Sequence, residues 1–186
     1  MITLASKKFS LLQIVCLVAY YGFARHLPRS YSMWGGKYAK NIRYHICRHI
    51  FKSCGKEVNI EKNAMFGSGI DIVIGDYSDL GINCNVPSNI IIGNNVMMAP
   101  NCHVFAQNHE TSDISIPMNR QGFTERKQTI IDDDVWIGQN VTILPGRHIY
   151  KGSIIGACCL LCKDFPPYSV VGGNPSKLLK SRINSQ

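Results

Sequence analysis

Residues 1–56 contain no aspartate or glutamate against ten lysines and arginines, while the rest of the chain balances ten basic residues against twelve acidic ones. The net charge of +8 therefore belongs entirely to an N-terminal extension. That extension lacks a nucleic-acid-binding fold signature, which leaves an anionic membrane surface, rather than DNA or RNA, as its expected partner. It also lacks a membrane span. The one candidate, residues 9–24 (FSLLQIVCLVAYYGFA), falls short of the roughly 20 residues a bilayer requires, and no clear A-x-A cleavage site marks it as a signal peptide. Cys159 and Cys162 have CxxC spacing but no second pair, and His45 and His49 have no third ligand nearby, so neither set is expected to hold a metal.

What the chain does have is a period. Residues 131–166 divide into IDDDVW, IGQNVT, ILPGRH, IYKGSI, IGACCL and LCKDFP, each opened by an aliphatic residue. Six residues advance an α-helix by about 600°, which would scatter Ile131, Ile137, Ile143, Ile149, Ile155 and Leu161 over three faces, so a helix is excluded. A single long strand does not fit Pro145-Gly146 or Lys151-Gly152. The chain must turn once per block. Three short sides close a coil, the opening aliphatics stack inside it, and successive coils pair as parallel strands about 4.8 Å apart.

The same period holds upstream at Ile74, Leu80, Val86, Ile92, Met98 and Val104. The fifth position is mostly small or β-branched (Ser78, Cys84, Val96, Cys102, Val135, Val141, Ser153, Cys159), as a tight inner corner demands. Glycine recurs at the second (Gly75, Gly81, Gly93, Gly138, Gly156), where the backbone bends or is closely approached. The fold class that follows is all-β, a parallel β-helix of hexapeptide repeats. Cysteines at the fifth position read as small apolar fillers; Cys84 and Cys102, one coil apart, are near enough for a disulfide without needing one.

Three segments result. Residues 1–56 form the basic helical extension. Its first helix, over residues 9–24, packs on the core or lies on a membrane, and Leu27-Pro28 ends it. A second, over residues 38–53, places Ile42, Ile46 and Ile50 on one face with Lys40, Arg43, Arg48 and Lys52 elsewhere, and its apolar stripe is expected to cap the open end of the coil. Residues 57–175 carry the repeats, which start weakly at Ile60 and Phe66, slip by two residues and become regular at Ile74. A polar insertion, residues 110–130, interrupts them and is long enough to be functional. Residues 176–186 read as a short basic C-terminal helix and tail.

The segments VWIGQNVTILPG and IIGACCLLCKDFPPYSVVGGNPSKLL, with Trp136-Ile137-Gly138 and Gly173-Asn174-Pro175-Ser176-Lys177 in register, resemble the hexapeptide-repeat acyltransferases. The likeness is greatest to the sugar O-acetyltransferases that include the maltose and galactoside enzymes and modifiers of capsule or lipopolysaccharide. It runs from about Gly55 to Lys180. It implies a left-handed coil, a homotrimer, acetyl-CoA as acyl donor without a metal, and an acceptor hydroxyl on a sugar or glycan, as in a surface polysaccharide or its precursor. With the basic extension, it implies a cytoplasmic enzyme peripheral at the inner membrane face. The competing readings are an N-acetyltransferase of an amino-sugar nucleotide and a serine acetyltransferase. A zinc hydratase of the carbonic anhydrase type is disfavoured because His103 and His109 fall on different faces of a coil. A non-catalytic scaffold would need neither His109, nor Trp136, nor the terminal GNPSK.

By the same resemblance His109, at the mouth of the insertion, is the general base: a sugar alcohol is a poor nucleophile, and an imidazole titrating near 7 suits its activation. Trp136 lines the acceptor pocket. Gln139, Ala157, Cys162, Lys163, Lys177 and Lys180 lie along the CoA groove, with the lysines supplying charge for its phosphates. Cys158 and Cys162 stand where the family more often has glycine and threonine, and Lys177 and Lys180 where arginines occur. Counting coils across the insertion predicts a further neighbour. If the register is unchanged, His148 lies above His109 by one strand spacing of about 4.8 Å and helps to keep it neutral.

Overall fold

A computed structural model describing residues 2–4 and 7–183 shows a left-handed parallel β-helix of about six turns, closed at its N-terminal end by two helices. Each face of the three-sided prism is a ladder of mostly two-residue strands. The first stacks Ser53–Cys54, Val73–Ile74, Ile91–Ile92, Ile130–Ile131 and His148–Ile149. The second pairs Asn59–Ile60 with Asp79–Leu80 and continues through Met97–Met98, Trp136–Ile137, Ile154–Ile155 and Ser169–Gly172. The third holds His103–Val104, Thr142–Ile143 and Leu160–Leu161, prolonged towards the N-terminal end by bridges from Met65 to Asn85 and from Asn85 to His103.

The second residue of each two-residue ladder strand points inward, which is why the block-opening aliphatics form one buried column per face. The slip near Phe66 is present: Cys54 lies under Ile74, twenty residues on, whereas Ile74 and Ile92 are eighteen apart. Ile92 lies directly under Ile131, so the insertion is spliced in without disturbing the register.

The turn itself falls at the fourth position of the block. Tyr77, Asn83, Asn95, Asn101, Asp134, Asn140 and Cys158 all have φ between 56° and 61°. Asparagine and aspartate tolerate this left-handed conformation better than other side-chain-bearing residues. At the corner between the second and third faces their amides join coil to coil, Asn63 to Asn83, Asn83 to Asn101 and Asn101 to Asn140, each at 3.1 Å. The second-position glycines answer a different need. A Cβ on Gly81 would lie 2.3 Å from the Met98 carbonyl oxygen, so the coil above leaves no room for one.

Helix α1 (Leu11–Gly22) begins at a capping box: the Ser10 hydroxyl accepts from the Gln13 N–H at 3.1 Å, and Gln13 Oε1 accepts from the Ser10 N–H at 3.0 Å. Helix α2 (Gly36–Cys47) ends earlier than its periodicity predicts, leaving His49 beyond it. Tyr20 is fully buried, donates to the Ala64 carbonyl at 2.8 Å and packs on Phe66, whose ring also meets Phe51. With Cys47 and Ile50 these side chains plug the open coil and make one core with it.

The structure departs from two expectations. Of the stripe expected to cap the coil, Ile50 is fully buried and Ile46 packs against the core, but Ile42 is exposed; the face of α2 turned inward is that of Ala39, Arg43 and Cys47. Arg43 tolerates burial because its guanidinium is largely satisfied. Nε donates to the Ile60 carbonyl, Nη1 to that of Pro28 at 2.9 Å, and Nη2 lies 3.7 Å from Glu61 Oε2. The C-terminal helix is absent as well. Lys177–Ser181 is a strand antiparallel to Ser169–Gly172, drawn there by that strand's unpaired edge after a turn in which Gly173 has φ 92°. Residues 184–186 of the expected tail lie outside the described residues.

Candidate active site

The insertion leaves and rejoins the coil at the corner between the third and first faces. Its arms run antiparallel: His109 bridges Phe123, the Glu110 N–H donates to the Gly122 carbonyl at 3.1 Å, and the Thr124 N–H donates to that of Asn108 at 2.9 Å. The Lys127 N–H then reaches the Ala106 carbonyl at 2.7 Å, and Ile130 resumes the first face. His109 is thus fixed at the root of the loop, its imidazole exposed and lying against the Phe123 ring with centroids 4.4 Å apart.

Two cavities flank the returning arm. One, of about 230 Å³, lies towards the later coils and is lined by Asn108, Thr124, Lys127, Leu144, Arg147 and Cys162, among others. The other, of about 810 Å³, opens between the corner and α1 and has Arg126 on its wall. Two consecutive cations of the arm therefore serve opposite cavities. Around the smaller one, Arg147 Nη1 donates to the Cys162 carbonyl at 3.1 Å and pairs with Asp164 at 3.4 Å. Cys162 Sγ lies 3.3 Å from the Ser176 hydroxyl, whose hydrogen bond holds the thiol below its ordinary pKa.

The structure brings some of the sequence-derived residues together and separates others. Cys162 and Lys163 share the corner of His109. Gln139 and Ala157 occupy the opposite edge of the third face, in successive coils joined through the Cys158 N–H, which donates to the Gln139 carbonyl at 2.8 Å. Lys177 and Lys180, both exposed, pair with Gly172 and Val170 on the second face. Ser176 ties this strand to the third face, its N–H donating to the Leu160 carbonyl at 3.1 Å.

Trp136 is half exposed on the second face between Met97 and Ile154. In a three-sided coil that face is opposite the corner of His109, so one chain does not unite the two. His148 is not registered over His109 either. The strand beneath it is Ile130–Ile131, because the lower coil continues from the returning arm of the loop. The His148 imidazole instead hydrogen-bonds Asp132 at 2.8 Å and stacks on Tyr150.

Lys127, Arg147 and Ser176 are additions that sequence reasoning missed. A signal for Arg147 was present: at this corner the fifth positions are Ile90, Asn108, Arg147 and Phe165, none of them small.

No protein-family model matches the chain. It is 34% identical over 123 residues to the galactoside O-acetyltransferase of Lactococcus lactis, covering 66% of this chain and 55% of that protein. Over 143 residues it is 32% identical to a putative acetyltransferase of Saccharomyces cerevisiae, covering 76% of this chain and 71% of the yeast protein. A solved maltose O-acetyltransferase from Clostridium difficile superposes with a TM-score of 0.72 at 30% identity, over 93% of this chain and 89% of that one. The chain belongs to the hexapeptide-repeat acetyltransferases. Another structure from the hexapeptide-repeat acetyltransferases, from Vibrio cholerae, matches with a TM-score of 0.70 at 28% identity, over 91% of this chain and 92% of that one. The matched part spans about half the length of the Lactococcus relative.

Proposed function

We propose that this chain is an O-acetyltransferase that moves the acetyl group of acetyl-CoA to a sugar hydroxyl of a surface polysaccharide or its precursor. The carrying observation is the setting of His109, an exposed imidazole at the loop root on the same corner as the cavity lined by Lys127 and Arg147. The names of the galactoside and maltose relatives support a sugar acceptor. Two proteins of the same fold, a galactoside acetyltransferase and a Vibrio cholerae acetyltransferase, were solved with coenzyme A and acetyl coenzyme A.

In this reading His109 takes the acceptor hydroxyl proton while the oxygen bonds to the thioester carbonyl carbon. The carbon–sulfur bond then breaks, and the departing thiolate receives the proton back from His109. Phe123 packs against one side of the imidazole and limits its movement. Lys127, Arg147 and Lys163 at the loop-bearing corner of one copy, with Lys177 and Lys180 on the second face of the neighbouring copy, supply positive charge for the CoA phosphates, and Gln139 and Ala157 border the pantetheine arm, where the small Ala157 leaves room. Trp136 offers an aromatic face for a sugar. It must come from a neighbouring copy, because within one chain it lies opposite His109; a homotrimer that sets the second face of one copy against the loop-bearing corner of the next meets this need.

The N-terminal cap supports peripheral work at an anionic membrane. Leu11, Leu12 and Val15 of α1 are exposed in a segment without acidic residues, and among the described residues no helix is long and apolar enough to cross a bilayer. Co-sedimentation with anionic vesicles should fall with salt and fall further in Leu11→Glu/Val15→Glu; equal sedimentation of that variant would count against the contact.

The acceptor reading is tested by thiol release from acetyl-CoA with sugars, amino sugars and serine offered in turn. Release with a sugar, giving a product cleaved by mild alkali, is the expected result. Release only with amine acceptors, giving alkali-stable amides, would establish N-acetyl transfer instead. That alternative draws on an N-acyltransferase of the same fold from Bacillus cereus, solved with an amino-sugar nucleotide.

A further inference from the structure

We propose that the 810 Å³ cavity between α1 and the loop-bearing corner holds the hydrocarbon chain of an amphiphilic acceptor, a sugar joined to a lipid, with the sugar directed towards His109. This rests on the acetyltransferase reading above and adds the class of its acceptor.

The cavity has two unlike walls. Ile14, Leu17 and Val18 of α1 form an apolar one, and Ser88, Asn89 and Arg126 on the corner form a polar one. A free sugar, polar all round, would gain little from the α1 side. A molecule with a chain at one end and hydroxyls at the other matches both. The volume lies within the ~300–1,000 Å³ typical of small-molecule sites.

The polar wall leads to the loop root. Asn85 is bridged to His103, so Ser88 and Asn89 lie in the coil beneath Ala106 and Gln107, two or three residues short of His109. Gln128 of the returning arm donates to the Asn89 carbonyl at 2.8 Å, tying the arm to this wall. The apolar wall leads the other way. Val18 is 68% exposed, and Val15, Leu12 and Leu11 continue the apolar surface outward along α1. A chain can therefore enter along this exposed apolar face of α1.

The probes are methyl, hexyl and octyl β-glucosides below their micelle concentrations, titrated calorimetrically into the full chain without CoA. Affinity should rise about two- to fourfold per methylene between hexyl and octyl, fourfold being the limit for full burial. Val18→Asp and Leu17→Asn, checked for unchanged melting, should each flatten this dependence. A diazirine-bearing octyl glucoside should crosslink to residues 14–21 of the unmodified protein, which keeps the test open if a variant does not fold. Equal affinity along the series, a slope retained in both variants, or crosslinking elsewhere would overturn the proposal. Binding is read without turnover, so the two readings fail separately: no thiol release with any sugar, amino sugar or serine, octyl glucoside included, would sink the acetyltransferase reading and leave the chain site standing.

Discussion

The side chain of Lys127 lies across the backbone of Gly146, so closely that a Cβ at 146 would come within 3.0 Å of Lys127 Cβ and 3.1 Å of its Cδ. The returning arm of the loop is thereby pressed onto the coil above it, beside the smaller cavity. Gly146 also has φ +72°, where a side chain costs about 1–2 kcal/mol. Gly146→Ala should lower the melting temperature and raise KM for acetyl-CoA, whereas Lys127→Ala should raise that KM with little change in melting. Unchanged KM in both would place the donor phosphates elsewhere.

His109→Ala should keep the fold and lose about 10²- to 10⁴-fold in kcat, the usual contribution of a general base. Phe123→Ala should lose less, because it frees the ring without removing it. Near-normal turnover by His109→Ala would take this histidine out of the mechanism.

Asp79 carries a pH-dependent liability. Burial pushes its carboxyl up to about 6, against the Met98 N–H that donates to it at 2.6 Å, and nearby Glu61 adds to the rise. Its folded pKa exceeds the unfolded value of about 3.9, so its contribution to stability is fully present below about pH 4 and is lost as pH rises through about 6. Asp79→Asn should therefore be more stable than the wild type at pH 8, by about 1–3 kcal/mol at ~1.4 kcal/mol per unit, with the difference vanishing near pH 4. Denaturant midpoints at the two pH values decide it; equal differences at both would mean the carboxylate is not strained.

Arg43→Ala removes the ion-pair partner of a buried Glu61 and should cost about 3–5 kcal/mol. Arg43→Met with Glu61→Gln should recover much of that, since neither replacement leaves a bare charge inside. Urea unfolding at one fixed protein concentration compares them, and a double variant as weak as the single one would show that Arg43 acts mainly through its bonds to the Ile60 and Pro28 carbonyls.

The coil was legible because its cause is local: each block repeats the same turn, so Ile74, Ile92, Ile131 and Ile149 announce their column without knowledge of any other contact. Where a partner decides, the sequence was silent. Arg43 reads as a surface residue until Glu61 and two carbonyls meet it, and residues 177–181 read as helical until the edge of Ser169–Gly172 captures them. The third corner lay between these cases. The eight small fifth-position residues all belong to the other two corners, and the larger Asn108 and Arg147 mark where the inner packing rule is relaxed for the loop. The His148 expectation failed for a related reason: a correct register was combined with the assumption that His109 stays in the coil it ends.

The insertion departs and returns at one corner, and Ile131 settles on Ile92 as if nothing lay between them. Its length is therefore invisible to every coil above. The tip can be shortened, lengthened or exchanged for another sequence while the arms at Asn108–Thr124 and Ala106–Lys127 hold, much as a tool is changed in a fixed handle. The corner is a socket: loops of different length can be seated there with the ladders above and below it unchanged.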